Sequence, residues 1–567
     1  MRARTYLAPM RRPVRSFFLA LLSLPLVAAE TPPPRLAVVV VVDQMRADFL
    51  VKFRPYFGAG GFKRLLEEGA DYQNCHYQHA LTITAPGHAT ILSGVNANVH
   101  GIIGNEWLDP TTFIQGNAVE DDNSPLVGLP PRTDRYANAT FAAQAGRSPR
   151  NFLGTTVGDR LKARYGAAAK VFGVADKDRS AILPAGPRAD GAYWTEEGIF
   201  VTSTYYRAEL PDWVKDFNAR HNAAQYFGKT WDRLLAPSVY DAVQGPDDQP
   251  GEQVEDGLPI TFPKRVDGGK PTLNNAFYTA FDHAPWNNEI VEEMAECTIA
   301  SNGLGQDEVP DLLTVGFSQT DKSGHAYGPD SHEVMDSYVR LDRTLARLLA
   351  FLDEKVGPGR WVLALTADHG VSPLPERIQA QQGPEVGGRF DTPPFWKNML
   401  ASLDAVFGPP PEGSYWLVQD GGYRLNRAAL QARNIPPARM AAELKALLLR
   451  DRRFAALYTR EELTGPGPLD RWGEMMRRSY FPARSPDVMY VLQPYWQTRK
   501  AGTGHGTPHE YDTHVPQLWF GAGVKPGVHP ERVAVEDLAP TLAGLLGVEL
   551  PAAKGRRLFG ATSTAQP

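Results

Sequence analysis

Four runs of the chain are apolar at nearly every position: residues 36–42 (LAVVVVV), 170–175 (KVFGVA), 312–317 (LLTVGF) and 361–367 (WVLALTA). Runs of this length and β-branched content predict strands buried on both faces, as in a mostly parallel sheet covered by helices. Each run stops at polar or ionisable residues. Asp43 follows the first and Asp176-Lys177-Asp178-Arg179 the second. Ser318-Gln319-Thr320-Asp321 follows the third and Asp368-His369-Gly370 the fourth. In open α/β sheets ligands bind beyond the carboxyl ends of the strands, so the pattern predicts a single site along one sheet edge.

Helical periodicity lies between the runs. Over residues 331–355, Val334, Tyr338, Leu341, Leu345, Leu348 and Leu352 recur at three- and four-residue steps and predict one apolar face. A helix over residues 85–95 is expected directly after Thr84, with Pro86 in its first turn. Residues 440–449 and 535–546 also read as helices. The stretches of about 190–305 and 375–500 are richer in Pro, Gly and Trp and lack long buried runs, and are expected to be insertions capping a single catalytic domain, residues 30–567, rather than independent domains.

The N-terminus changes the picture of where this domain works. Arg11, Arg12 and Arg15 precede a short apolar run over residues 17–26, and Val27-Ala28-Ala29 suits cleavage after Ala29. The run is half the roughly 20 residues that a membrane-spanning helix needs. Residues 1–29 are therefore expected to be a signal peptide, with the mature protein periplasmic or secreted and without a stable membrane anchor. Without them the chain keeps 54 Lys and Arg against 64 Asp and Glu, an acidic balance that argues against a nucleic-acid scaffold. Cys75 and Cys297 are the two cysteines. An oxidising compartment permits a bridge, but two separate buried thiols are the expectation.

The candidate chemistry gathers at the strand ends. Asp321 and His325 stand four apart, close enough on a helix start to meet one cation, and Asp368-His369 is adjacent, with Gly370 allowing a sharp exit. Asp43 is placed to complete one cluster and His505, between Gly504 and Gly506, the other. His509, Asp512 and His514 lie close by and compete with His505; the flanking glycines favour His505. Mixed Asp/His ligation without a thiolate suits catalytic Zn²⁺ better than Mn²⁺, Fe or Mg²⁺. Thr84 is a candidate nucleophile once a dication favours its alkoxide, and also a plausible helix N-cap; the two roles are compatible. His88 reads as packing beside it. Asn105 is either a turn residue or an amide donor to substrate. Lys177 and Arg179 alternate across what reads as an extended segment, which would place both on one side, as phosphoryl partners or as plain surface charge.

Taken together, VVDQMR around Asp43, TAPGH, GIIGN, KDRSAILPAG, SQTDKSGHAYGP, LTADHG and HGTPHEYDTHVP resemble the alkaline phosphatase superfamily, most of all its bacterial phosphate-irrepressible, monoester-specific branch with a threonine nucleophile. The resemblance runs from Asp43 to about Gly523. It implies an alkaline-phosphatase-like α/β fold and two Zn²⁺ ions. One would be held by Asp43, Asp368 and His369 and contact Thr84, the other by Asp321, His325 and His505. It further implies phosphoryl contacts from Asn105, Lys177 and Arg179, small-molecule phosphate monoesters as substrates, and a covalent threonyl-phosphate. Phosphodiesterases and nucleotide pyrophosphatases of the superfamily share the candidate ligands and the threonine, and remain the alternative. The sulfatase signature, a Cys or Ser in C/S-x-P-x-R, is absent at Thr84-Ala85-Pro86-Gly87-His88.

Overall fold

A computed structural model describes residues 33–129, 146–255 and 257–560, together with residues 1–5 and 8. Of the expected leader, residues 1–29, all but residues 1–5 and 8 lie outside these residues. Among the described residues the main sheet has eleven strands: β1 (Leu36–Val42), β2 (Ala70–His76), β3 (Leu126–Val127), β4 (Val171–Ala175), β5 (Gly191–Glu196), β6 (Ile199–Ser203), β7 (Asp311–Phe317), β8 (Trp361–Thr366), β9 (His514–Val515), β10 (Gln517–Gly521) and β11 (Gly527–Ala534). Their order is β9-β2-β10-β8-β1-β7-β4-β5-β6-β3, with β11 beside β2. The four apolar runs of the sequence are neighbours at the centre, all parallel, and every residue of β1 and β7 is buried. Helices cover both faces, as that burial requires.

Register explains why the polar strand ends converge. Val41 of β1 pairs with Gly316 of β7 and with Thr366 of β8, and Gly316 pairs with Ala175 of β4. Four chains therefore leave the sheet in one row, at Asp43, Ser318, Ala367 and Asp176. Two further segments arrive there through strand direction. β10 runs antiparallel to β8, with Gln517 opposite Thr366, so the chain before it, carrying His505, enters at the same edge. β2 is antiparallel to β10 and so parallel to β1; it leaves at His76 toward Thr84.

The helices that matter for the site are α1 (Thr84–Ser93), α2 (Asp178–Ala185), α3 (Gln319–Tyr327) and α4 (His332–Lys355). The Ser331 hydroxyl caps α4 by accepting from Val334 N. The two stretches expected as caps both contain strands. The cap anticipated from residue 190 opens instead with β5 and β6, an antiparallel pair that widens the main sheet and buries Tyr193, Trp194, Phe200 and Val201. The later cap contains its own antiparallel sheet, Leu417–Gln419, Tyr423–Leu425, Val488–Leu492 and Phe454–Thr459 in spatial order, over a separate apolar core that includes Trp416, Leu430, Met440 and Leu444. Among the described residues no helix is long and apolar enough to cross a membrane. Cys75, buried, and Cys297, partly exposed, are both free thiols.

Candidate active site

Thr84 is the first residue of α1 and is buried to 1% exposure. Ile83, not Thr84, is the N-cap, and no side chain of the cap residue serves the helix start. The service comes from Asn105, whose Oδ1 accepts the N–H of Ala85 at 2.8 Å. That bond settles the orientation of the Asn105 amide: with oxygen committed to the helix, the NH₂ group is the end available to the cleft. The Thr84 hydroxyl is left for chemistry and lies 3.4 Å from His369 Nε2. His88 acts locally, with Nδ1 2.9 Å from the Thr84 carbonyl and 3.2 Å from Asp368 Oδ2. Gly87 is required by packing: a Cβ there would come within 2.8 Å of Asp368 Cβ and still closer to the Asp368 carbonyl. The TAPGH segment thus presses the hydroxyl against the Asp368-His369 turn.

Six candidate ligands form one continuous cluster. His369 Nε2 lies 3.4 Å from Asp43 Oδ1 and 3.5 Å from Asp368 Oδ2. Asp321 Oδ1 lies 3.2 Å from His325 Nε2 and 3.5 Å from His505 Nε2. By proximity the groups able to hold a metal are Asp43, Asp368 and His369, and Asp321, His369 and His505. His369 borders both, and its ring stacks on that of His505 at 3.5 Å between centroids. His325 joins through Asp321. With metal–ligand bonds of about 2.0–2.1 Å, tetrahedral geometry separates neighbouring ligand atoms by about 3.3–3.4 Å. The observed edges, the one to Thr84 Oγ1 included, are of that size.

The donor set fits a cation on two further counts. Asp43 Oδ1 is buried without a hydrogen-bond partner, and Asp368 Oδ2 has only His88 Nδ1, whose proton it shares with the Thr84 carbonyl, a cost that an ion at that point removes. The three imidazoles are held in one tautomer, because each Nδ1 donates to a backbone carbonyl: His369 to Gly370 at 2.9 Å, His325 to Thr503 at 2.8 Å and His505 to Thr82 at 2.8 Å. Each Nε2 therefore presents a lone pair to the cluster. Burial pushes the pKa of His369 down to about 3 and lowers that of His505, so these rings are neutral.

Lys177 sits between the two groups. Its Nζ donates to Asp43 Oδ2 at 2.7 Å and to Asp321 Oδ2 at 2.6 Å. Burial opposes its charge, but Asp321 and Asp43 outweigh burial and raise its pKa. Burial, reinforced by Asp321 and Asp368, pushes the Asp43 carboxyl well above its usual range. Three carboxylates against one ammonium leave an excess of negative charge that a dication would balance.

Arg179 departs from expectation. Only Lys177 is extended; α2 starts at Asp178 and puts Arg179 in its first turn. Asp178 makes the turn by accepting the Arg179 N–H at Oδ1, 2.7 Å away. The Arg179 Nε is buried without a partner. Asn105, Arg179 and His505 line a common cleft of about 590 Å³.

Of the four competing residues near the C-terminus, His505 alone joins the cluster. His514 Nε2 is 2.8 Å from the Gln73 carbonyl and its ring stacks on His76. His509 Nε2 is 2.9 Å from the Leu492 carbonyl. Asp512 accepts from Thr507 N and Oγ1 at 2.9 and 2.6 Å, tying down the loop after His505. Two residues went unremarked in the sequence. Gln44 reaches candidate ligands of both groups. Lys322, next to Asp321, is held between Asp176 and Asp282 at 2.7 and 2.8 Å. Adjacency to an aspartate was the one signal either gave.

A buried hydroxyl beside carboxylate–histidine groups able to hold metal, at the carboxyl edge of a mostly parallel α/β sheet, is the arrangement expected of the alkaline phosphatase superfamily. The chain belongs to the type I phosphodiesterase / nucleotide pyrophosphatase family, whose model matches residues 37–515, and it is an enzyme of that superfamily. It is similar to alkaline phosphatase PhoV of Synechococcus elongatus, 33% identical over 91% of each chain. A Myroides odoratus protein named calcium-transporting ATPase is 33% identical over 91% of this chain and 92% of its own. Alkaline phosphatase PafA of Elizabethkingia meningoseptica is 32% identical over 92% and 93%. The PafA crystal structure superposes with a TM-score of 0.84, covering 93% of this chain and 98% of that one.

Proposed function

We propose that the protein is a two-zinc alkaline phosphatase that hydrolyses phosphate monoesters through a phosphothreonine at Thr84. The observation that carries this is the position of the Thr84 hydroxyl, 3.4 Å from His369 Nε2, in a cluster where Asp43 turns an unpartnered buried oxygen to the same ring. Asp43, Asp368 and His369 would hold one ion, and Asp321, His325 and His505 the other. Bound zinc supplies Lewis-acid charge that favours the ionised hydroxyl and the departing oxygen.

The chain's own residues do the rest. Thr84 Oγ1 attacks phosphorus in line; the Oγ–P bond forms as the ester P–O bond breaks, and the released alkoxide takes a proton from solvent. Water then cleaves the threonyl-phosphate, returning the hydroxyl and releasing phosphate. Phosphoryl transfer asks mainly for positioning and charge stabilisation. Asn105 offers its NH₂ and Arg179 its unpaired Nε–H, while Lys177 keeps one of three ammonium protons after serving Asp43 and Asp321. A monoester presents three non-bridging oxygens and about two charges to these donors. A diester places a carbon substituent on one of them and carries one charge fewer. Each charge-assisted hydrogen bond is worth roughly 1.5–3 kcal/mol, enough for a preference of several decades. The basic-then-apolar N-terminus supports export of the enzyme to the periplasm or medium.

Diester hydrolysis is the second reading, favoured by the family's own description. Metal analysis together with kcat/KM for an aryl phosphate, its methyl diester and an aryl sulfate separates the two. The expected result is two zinc ions per chain and a monoester advantage of at least about 100-fold. An advantage for the diester would replace the first reading by the second, and one for the sulfate would overturn both.

A further inference from the structure

We infer that the cleft beyond the phosphoryl donors is a leaving-group site for uncharged, flat, apolar alcohols, so that the enzyme takes aryl and arylalkyl phosphates in preference to small or anionic ones; this rests on the monoesterase reading above. At about 590 Å³ the cleft is of ordinary size for a small-molecule site. Arg179, Asn105 and His505 line it together with the large apolar side chains of Trp107, Met489, Tyr490 and Trp496.

The walls come from two separate parts of the chain. Trp107 lies on the strand Glu106–Leu108, which pairs with Gln115–Asn117 directly after Asn105. Met489 and Tyr490 lie on the cap strand Val488–Leu492. The parts are tied together by Asp420 of the cap, whose Oδ1 accepts the Leu108 N–H at 3.0 Å. The rings are braced from behind. The Arg484 guanidinium lies 5.2 Å from the Trp107 ring centre, while its Nη1 donates to the carbonyls of Gly101 and Asn151 at 2.5 and 2.7 Å. Tyr490 packs at 5.6 Å against both Tyr423 and Phe454. Rings fixed in advance bind a flat partner with little ordering cost.

Charge sharpens the selection. Among the described residues that line the cleft, Arg179 is the one Lys or Arg, and it stands at the phosphoryl end. Asp420 is neutralised by Arg424, whose Nε donates to its Oδ2 at 2.8 Å, and Glu106 adds a carboxylate. A second phosphate or a carboxylate on the alcohol meets no cation there. An uncharged ring gains the apolar contact, about tenfold in affinity for one phenyl group.

The test compares kcat/KM for 2-phenylethyl phosphate and ethyl phosphate, whose alcohols differ little in acidity. In parallel, calorimetry measures binding of 2-phenylethylphosphonate and ethylphosphonate to the zinc-loaded enzyme. The expected ratio is about tenfold in both, shrinking in Trp107→Leu and, as a second variant should that one misfold, in Tyr490→Leu. A wild-type phosphonate ratio of about threefold or less overturns the proposal, as does a ratio undiminished in the folded variants. If neither ester is turned over but the phenylethyl compound still binds about tenfold tighter, the cleft assignment stands and the phosphatase reading falls.

Discussion

Gln44 donates from its side-chain amide to Asp321 Oδ1 at 2.6 Å. Its backbone N–H donates to Asp368 Oδ1 at 3.2 Å, so one residue braces a candidate ligand of each metal group. To do so it adopts φ +67°, a left-handed conformation that a residue with a side chain rarely takes outside constrained sites. Room for the amide comes from Gly324 on α3: a Cβ there would fall far inside contact distance of Gln44 Oε1.

Gln44→Ala is therefore expected to fold and to bind zinc about 10–100-fold more weakly, the usual effect of losing a hydrogen bond that orients a ligand. Competition with a chelator measures this without reference to turnover. Gly324→Ala should weaken zinc through the same amide, so the double variant should be clearly less than additive. Zinc affinity within twofold of wild type in Gln44→Ala would remove the bracing role.

Thr84→Ala should keep its zinc and its fold while losing at least about 10³-fold in kcat, since removing a covalent nucleophile leaves only positioning and charge stabilisation. Thr84→Ser should retain measurable turnover. Mass spectrometry of enzyme quenched during turnover should find a phosphate on residue 84 in wild type and not in Thr84→Ala. Unchanged kcat in the alanine variant would dismiss Thr84 as nucleophile.

Much of this centre was legible in the sequence because its supports are the four most apolar runs. A buried parallel strand advertises itself by continuous β-branched residues, and its end marks the edge where ligands sit. The Asp43, Asp321 and Asp368 positions follow from that alone. Other features depended on contacts that sequence spacing does not carry. Gln44 meets Asp321 across 277 residues. The choice among His505, His509 and His514 is made by distant partners: His509 Nε2 turns to the Leu492 carbonyl and His514 Nε2 to the Gln73 carbonyl, while His505 Nε2 faces Asp321. The extended reading at Lys177–Arg179 failed because Asp178 bonds the next N–H and starts a helix there. The β5–β6 pair is not legible as part of the sheet, because its aromatic hairpin shows neither a continuous apolar run nor a strict alternation.

Away from the centre, Glu252 predicts an alkaline limb of stability. Burial, with help from Glu333, raises its pKa to about 9. The folded protein thus holds this proton over a range in which the unfolded chain, with an ordinary value near 4.3, has released it. The stabilisation is complete below the unfolded pKa and is lost as pH rises toward the folded one. Glu252→Gln removes the proton exchange, so its stability relative to wild type, read from the melting temperature, should improve between pH 5 and pH 8 by about 4 kcal/mol at most. Parallel melting curves at the two pH values check this; a difference that does not change with pH would contradict the buried, protonated state.

Lys177 and Arg179 should separate the two ester classes. Lys177 spends two protons on Asp43 and Asp321 and retains one for a phosphoryl oxygen, while Arg179 brings an unpaired Nε–H. A dianionic monoester uses both; a diester, with one charge fewer and a substituent on one oxygen, does not. Replacing Arg179 by Ala should lower monoester kcat/KM by about 10–100-fold, the value of one or two charge-assisted bonds, and diester kcat/KM by much less. Replacing Lys177 by Ala has a second consequence, because it leaves the Asp43 and Asp321 carboxylates without their shared counter-charge and should change zinc affinity as well. Assays at saturating zinc remove that contribution. The selectivity ratio, aryl phosphate over its methyl diester, should fall in each single variant and furthest in the pair. Equal losses on both substrates would mean that these cations assist catalysis generally, and monoester preference would then have to come from the metals and Asn105.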